Sequence, residues 1–434
     1  MNFKLIFVEG DSEEMFTKNA FEEFKSIYPN VEIVLLKDSE ISEFNNMDIS
    51  QADNSLWPTA YYHQFWHSAN EDNYVSKNKD ITDMLKKTGW LDKMSESIRS
   101  TISDDNGRIY SLPYNVACSF GLICNIELFE EAGLTDMNGV PVYPKTWEEF
   151  IETAAKIKAA TGREGFFYPT EYAFDASAFA GIANSFGSES FYDVNTDGKY
   201  TSNLDSENTV SAMEFLKSLR WEHEIITEDS YTEDSLFGYK YVGNGSAAMI
   251  IGANDALEQV VMNGLPADKV GFCALPSVPN QKNCSPVMID SVDFPSYVSD
   301  EQIEAVLTLL ELAGHGPVFN DAKKALIVDY ASDLESAGVP VIFNPQIWNS
   351  PEVTELEERI IEKSKTTNNT LYKSFYEAIN NSEEFKIMLA DNAAVYAAGK
   401  AVNEVLNNKD ADVSEIIKQA SKKHQQYLDE WNKN

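Results

Sequence analysis

The sequence contains no run of 18 apolar residues, so no segment reads as a membrane-spanning helix. Histidine is scarce, with five residues, which leaves few candidates for a His-based catalytic triad. The four cysteines, Cys118, Cys124, Cys273 and Cys284, form no Cys-x-x-Cys pair. Zinc and redox motifs of that type are therefore absent, and buried free thiols are expected. Positive charge is in short supply: 34 Lys and Arg stand against 70 Asp and Glu, a formal net charge of −36. Nucleic-acid binding needs a basic face to displace counterions, so it is excluded. Docking by charge on an anionic membrane is excluded on the same ground. Such a charge predicts a soluble monomer. The chain also lacks a Gly-x-Ser-x-Gly elbow, a Walker A loop, an internal repeat and a Pro/Gly/Ser-rich linker.

What is present is a chain of 434 residues, enough for two or three domains, with 43% hydrophobic and 12% aromatic residues to build a large core. Phe3 to Val8 reads as a strand, Asp11 to Tyr28 as an amphipathic helix and Val31 to Leu36 as a second strand. This β-α-β opening predicts a parallel pair. The turn Glu9-Gly10-Asp11-Ser12 lies at the carboxyl end of the first strand, where open α/β sheets place their ligands. A third strand is expected from Thr59 to about His63. Thr146 and Glu149 spell a capping box for a helix from Trp147 to Thr161. Strands continue to alternate with helices, and the last 85 residues read as mostly helical, so the class is α/β. Met1 to Gly10 lacks the apolar stretch and cleavage site of a signal peptide. Two readings remain open: a cytoplasmic protein, or a mature form whose leader has been removed.

Three motifs have bland readings that outweigh the chemical ones. His63 and His67 are four apart, but Gln64 stands where a zinc protease needs Glu. Gly243-Asn-Gly245-Ser-Ala-Ala248 imitates a dinucleotide fingerprint, yet a strand and not a helix is expected after it. Asp193, Asn195, Asp197 and Gly198 begin like a calcium loop, but Leu204 occupies the place of the bidentate Glu. A polar hairpin turn is the expectation there, with structural calcium as the alternative and no other cofactor. Aromatics cluster in expected loops: Trp57, Tyr61, Tyr62, Phe65 and Trp66, then Tyr168, Tyr172 and Phe174, then Trp348. They sit beside Gln64, Glu171, Asp175 and Asn344. Flat rings interleaved with planar polar groups suit a carbohydrate cleft, where rings stack on C–H faces and polar groups take the hydroxyls.

One set of segments carries a family resemblance. Gly107-Arg-Ile-Tyr-Ser-Leu-Pro113-Tyr114-Asn115 precedes Leu122-Ile-Cys-Asn125-Ile-Glu-Leu-Phe129-Glu-Glu-Ala-Gly133-Leu134 and then Pro144-Lys-Thr146-Trp147-Glu-Glu-Phe150. In order and spacing this resembles the family 1 solute-binding proteins, the maltose-binding-protein-like sugar-binding components of bacterial ATP-driven importers. Phe21-Glu-Glu-Phe24 with Tyr28-Pro-Asn-Val31, Asp197 to Tyr200 with Ala212 to Leu216, Gly245 to Gly252, and Val395-Tyr396 extend the likeness over nearly the whole chain. The chain departs from the family at Pro58-Thr59, at Ile123-Cys124-Asn125-Ile126, and at Asn254, where many members carry a sugar-stacking Trp.

The resemblance implies a two-lobed, type II periplasmic-binding-protein-like fold that closes about a hinge onto a ligand in the cleft. The first lobe would comprise 1–114 and 289–338, and the second 115–288 and 339–434, with crossings near Tyr114, Met288 and Val341. By position it implies ligand contacts from Asp11 and Ser12, from His63, Phe65 and Trp66, and from Tyr114 and Asn115. Glu171, Tyr172 and Asp175 would follow from the second lobe, then Asn254 and Asp255, Asp290, Ser291 and Asp293, and Tyr396. Trp348, from the aromatic clusters, completes the set. Trp66, Tyr172 and Tyr396 would stack on sugar rings, and Asp11, Glu171 and Asp175 would accept bonds from hydroxyls. The implied ligand is a carbohydrate, with an oligosaccharide favoured by the aromatic content, and the implied partner is a membrane permease. The implied location is a periplasm or, through a lipid anchor, the outer face of the cell membrane. The alternatives are a non-sugar solute such as a peptide or polyamine on the same scaffold, and a two-carboxylate glycosidase.

Overall fold

The computed structural model describes residues 3–37, 58–65, 78–104, 106–168, 176–188, 190–195, 199–228, 235–279, 281, 286–380 and 392–432. Strands β1 (Lys4–Val8) and β2 (Glu32–Leu36) pair in parallel, with Lys4 opposite Glu32 and Val8 opposite Leu36. The segment between them is two helices, Glu9–Met15 and Lys18–Ile27, where the periodicity had suggested one. The break falls at Phe16, which is extended at φ −138° and drives its ring between Phe7 and Phe21, at centroid distances of 5.1 and 5.5 Å. Thr17 then caps the second helix by accepting the Ala20 N–H.

The main sheet runs in the order β3 (Tyr61–Phe65), β9 (Val287–Asp293), β4 (Ser111–Asn125) and β7 (Met249–Ala253), with β8 (Val270–Cys273) also on β4. All these pairings are antiparallel. β5 (Tyr192–Val194) and β6 (Tyr200–Ser202) form a separate hairpin.

Two cores are built on this framework. Leu5, Phe7, Phe24, Leu112, Ile289, Phe294 and Leu309 belong to the first; Leu122, Trp147, Phe166, Ile250, Phe272, Tyr372 and Ile417 belong to the second. The 15-residue strand β4 supplies both. Its first half, with Leu112, Tyr114 and Val116, fills the first core; its second half, with Leu122, Ile123 and Cys124, fills the second. The pairing changes with the core: Ser111 to Ser119 pair with β9, and Phe120 to Asn125 pair with β7 and β8. Just past the change, Gly121 faces Gly252 across the ladder. A Cβ on Gly121 would lie 2.5 Å from the Cys273 carbonyl oxygen, so glycine is what lets β8 close on β4 here.

The capping box at Thr146 forms as expected: its hydroxyl accepts the Glu149 N–H at 3.2 Å, and Glu149 reaches back to the start of the helix. A helix that sequence reading did not assign, Asp321–Ser336, follows the helix Asp300–Leu312. Only Ala331 of its residues is fully buried, so the apolar periodicity that would have marked it is thin. The chain after it departs from the expected division. Val339 and Ile342 join the second core, but Ile347 and Trp348 return to the first. There Ser95 N–H donates to the Ile347 carbonyl, and Asn349 N–H to the Lys93 carbonyl. The helix Pro351–Lys363 then leads back to Leu371 and Tyr372 in the second core. Among the described residues no helix is long and apolar enough to cross a membrane.

Candidate functional site

The lobes meet where β4 changes partner, and polar side chains gather there. Asn344 lies between Phe343, which packs beside Val341 on the second-lobe side, and Ile347 of the first core. Its Nδ2 donates to the carbonyls of Val116 and Ala117 at 3.0 and 3.2 Å. Its Oδ1 accepts the Ser119 hydroxyl and Asn254 Nδ2, both at 2.9 Å. Asn254 Oδ1 in turn accepts the Ser119 N–H at 2.9 Å. Phe120 N–H donates to the Pro286 carbonyl at 2.7 Å, tying in the segment that leads to β9.

A second cluster sits on the first-lobe side. Asp11 lies in the first turn of the helix Glu9–Met15 that follows β1, where the sequence suggested a turn, and its carboxylate accepts the Tyr62 N–H at 3.0 Å. The Tyr62 hydroxyl donates to Asp290 Oδ1 at 2.7 Å, and Asn115 Nδ2 donates to Asp290 Oδ2 at 2.8 Å. The antiparallel registers of β3 and β4 on β9 bring these together: Gln64 and Asn115 are both partners of Asp290. A buried carboxylate is tolerated only when donors surround it, and both oxygens of Asp290 have one. Asp11, Asn115 and Asp290 therefore do converge, and Tyr62, an aromatic residue of β3 not assigned to the site, completes the group.

The other expected site residues divide. Asp293 is fully buried and accepts bonds from Asn78 Nδ2 and the Ser111 hydroxyl, inside the first lobe. Ser12 is buried and donates to the Glu9 carbonyl of its own helix turn. Ser291 is fully buried on β9. Asn254 keeps 7% of its surface, with both ends of its amide engaged as above. The position where the family resemblance implied a stacking ring is here a bonding link between β4 and the segment of Asn344. Asp255, beside it, is exposed, but the protein around it holds its carboxyl above the usual range by desolvation. Trp348 is a core residue, 4% exposed, edge-on to Trp90 at 5.2 Å and donating its indole N–H to the His315 carbonyl. Buried in the first core, it offers no open ring face; clustering in sequence does not distinguish a lining ring from a buried one. Tyr114 is buried with its ring 4.7 Å from that of His315. Tyr396 is 53% exposed, with the Lys400 ammonium 4.4 Å over its ring.

His63 and Phe65 lie on β3 opposite Ser291 and Ile289. Trp66, Glu171, Tyr172, Asp175 and Asp197 lie outside the described residues. At the suggested calcium turn, Asp193 pairs with Thr201 in the hairpin ladder, and Asn195 Nδ2 donates to the Thr201 hydroxyl at 2.7 Å. No group of three metal-ligating side chains occurs among the described residues.

One group of titratable side chains was not anticipated. On the stretch from the helix Asp300–Leu312 to the helix Pro351–Lys363, Gln346 Nε2 donates to Glu357 Oε2 at 2.9 Å. Burial pushes the Glu357 carboxyl up to about 7. Burial holds Lys323 down to about 8 against the pull of Glu311 and Glu357, and His315 down to about 4 with Lys323 adding to it. Tyr330, 41% exposed, donates to the Ile342 carbonyl and tilts on Phe343. A charge cluster on a weakly amphipathic helix leaves no motif, so the sequence could not mark it.

Comparison with known proteins agrees with this architecture. A curated relative, the sn-glycerol-3-phosphate-binding periplasmic protein UgpB of Agrobacterium fabrum (strain C58 / ATCC 33970), is 33% identical over 95 residues, which is 21% of each chain. The match thus spans about a fifth of that relative's length. Two solved structures superpose along the whole chain. One is a chitin oligosaccharide binding protein, with TM-score 0.62, 17% identity and 100% of each chain covered. The other is a cyclic α-maltosyl-1,6-maltose binding protein from Arthrobacter globiformis, with TM-score 0.61, 13% identity and 99% of each chain covered. At such identities they establish the two-lobed fold. Residues 10–313 match the family model for bacterial extracellular solute-binding proteins. With its shared strand, its two cores and that match over most of its length, the chain belongs to the bacterial extracellular solute-binding protein family.

Proposed function

We propose that this protein binds a carbohydrate, an oligosaccharide in preference to a monosaccharide, and delivers it to the membrane permease of an ATP-driven importer. The observation that carries the reading is the family match over residues 10–313 of a chain whose two cores share one strand. Solved structures of the same fold are described as binding chitin oligosaccharide and cyclic maltosyl-maltose, which supports a glycan as ligand class. Asp11, Tyr62, Asn115 and Asp290 supply planar acceptors and donors suited to hydroxyl groups, and Tyr396 supplies an exposed ring. Trp66, Glu171, Tyr172 and Asp175 are proposed as further contacts with the ligand. The protein works as a monomer outside the cytoplasmic membrane, and closure of the lobes presents the loaded form to the permease.

A thermal-shift screen against mono- and oligosaccharides tests this. A ligand that binds only the folded state raises the melting temperature with its concentration. A rise of several degrees with one glycan class is expected. The panel includes sn-glycerol 3-phosphate, because of the short relative match; a rise with that compound alone would replace the glycan reading. Turnover of a reporter glycoside would replace binding with hydrolysis.

A further inference from the structure

We infer that Asn344 is the clasp of the hinge, a positioning residue that sets how far the lobes stand open before ligand arrives. The inference rests on the proposed binding function only for its consequence on affinity; the clasp itself follows from the bonding. One carboxamide reaches four atoms. Its donor end holds the Val116 and Ala117 carbonyls and its acceptor end holds the Ser119 hydroxyl and Asn254 Nδ2, all within 2.9–3.2 Å. The two carbonyls fix the orientation of the amide, since only the NH₂ end can face them.

The atoms it holds are those where movement between lobes has to occur. Val116 and Ala117 belong to the half of β4 paired with β9, and a register shift separates Val116 from Cys118. Ser119 is the last residue of that half, fully buried. Asn254 follows directly on β7, which is paired to the other half of β4. Asn344 itself stands on a third connection, held on the second-lobe side by the Val341 N–H bond to Thr367 and by the Phe343 N–H bond to the Tyr376 hydroxyl. On the first-lobe side Ile347 and Trp348 are locked in the core. Pro345 follows Asn344 and biases it to extended backbone, so the reach of the side chain is pre-set. Rotation of one lobe against the other changes the spacing between these strands, so the four bonds cannot all survive an arbitrary opening. They select a narrow range of lobe angles.

The test reads lobe separation directly. Spin labels at Ile27→Cys in the first lobe and Met137→Cys in the second, in a Cys284→Ser background, use one half-exposed and one fully exposed position. Cys118, Cys124 and Cys273 are buried and do not label in the folded protein. With no ligand present, Asn344→Ala is expected to broaden and shift the inter-label distance distribution, and Asn254→Ala to do so in part. The double variant should add little to Asn344→Ala, because the two amides act through one another. For the glycan found in the screen, Kd is expected to change by about 3- to 20-fold in Asn344→Ala, the range if one to two of the four bonds differ between open and closed lobes. Ser119→Ala, which removes a single arm, keeps the proposal open to refutation if Asn344→Ala folds poorly. Unchanged ligand-free distributions in both Asn344→Ala and Ser119→Ala overturn the clasp. A protein that binds no glycan but whose ligand-free distribution still responds refutes the proposed function and leaves the clasp standing.

Discussion

The two halves of β4 are one strand with two characters. From Phe120 to Cys124 the strand is apolar and in regular register with β7 and, along part of it, with β8, and its Leu122, Ile123 and Cys124 pack into the second core. From Ser111 to Ser119 it shifts register twice, at Pro113 to Asn115 and at Val116 to Cys118. There it lies against the buried carboxylates Asp290 and Asp293. Bulges and buried acids both cost stability, and neither is needed to hold a lobe together. The difference teaches where function sits: the second half is scaffold, and the first half carries the irregular geometry that aims Asn115 at Asp290 and leaves room for the hinge amides.

If that division is right, substitutions in the two halves should separate stability from binding. Leu122→Ala empties a fully buried site in the second core and is expected to lower stability by about 2–5 kcal/mol. The melting temperature of the folded protein should fall while Kd for the glycan stays within about twofold, the scatter expected of distant sites. Asp290→Ala leaves the Tyr62 hydroxyl and Asn115 amide without their acceptor, for a smaller loss of about 1–3 kcal/mol. Calorimetric titration should nevertheless show at least a tenfold weaker Kd. Equal losses of binding in the two variants would erase the contrast.

How much of this could be read from the sequence follows the same line. Regular pieces were legible: the Thr146 capping box and the helix from Trp147 to Thr161 stand where the residues put them. The strand expected after the Gly243–Ala248 segment forms as β7, Met249–Ala253. In the site, Asp11 was named from its place after the first strand and from the family resemblance, Asn115 and Asp290 from the resemblance alone, and the three do come together. Trp348 was named for its polar neighbour in sequence and Asn254 from the family resemblance, and burial turned one into core and the other into a hinge link. Asn344 was visible only as a polar neighbour of Trp348. Its role depends on three segments far apart in the chain, and no local pattern reports that.

The titratable group near the hinge sharpens the contrast at smaller scale. Glu357 rises from an ordinary 4.5 to about 7, mainly because burial disfavours its charged form. The folded state therefore keeps a proton that the unfolded chain has released, and stability falls as pH rises from about 4.5 to 7. Solvent reaches part of the side chain, so the span is about 1–2 kcal/mol. Glu357→Gln keeps an acceptor for Gln346 and removes the titration. Denaturation of both proteins at pH 5 and 7.5 should show Gln gaining on Glu as pH rises. Glu358 and His315 remain in both proteins, whereas Lys323 loses the upward pull of Glu357 in the variant, releases its proton at lower pH and adds to the gain in the same direction. A constant difference would place Glu357 in open water.

The smallest effect is expected farthest from the hinge. Thr146 and Glu149 satisfy the first-turn N–H groups of the helix Trp147–Thr161, whose Trp147 and Phe150 face the second core. Thr146→Ala should cost about 1 kcal/mol, the usual worth of an N-cap. Lobe separation and Kd should both be unmoved, because the cap touches neither β4 nor the amide network. A shift in the ligand-free distance distribution from this variant would mean that the second lobe is not a rigid scaffold. The contrast between the halves of β4 would then have to be drawn inside that lobe as well.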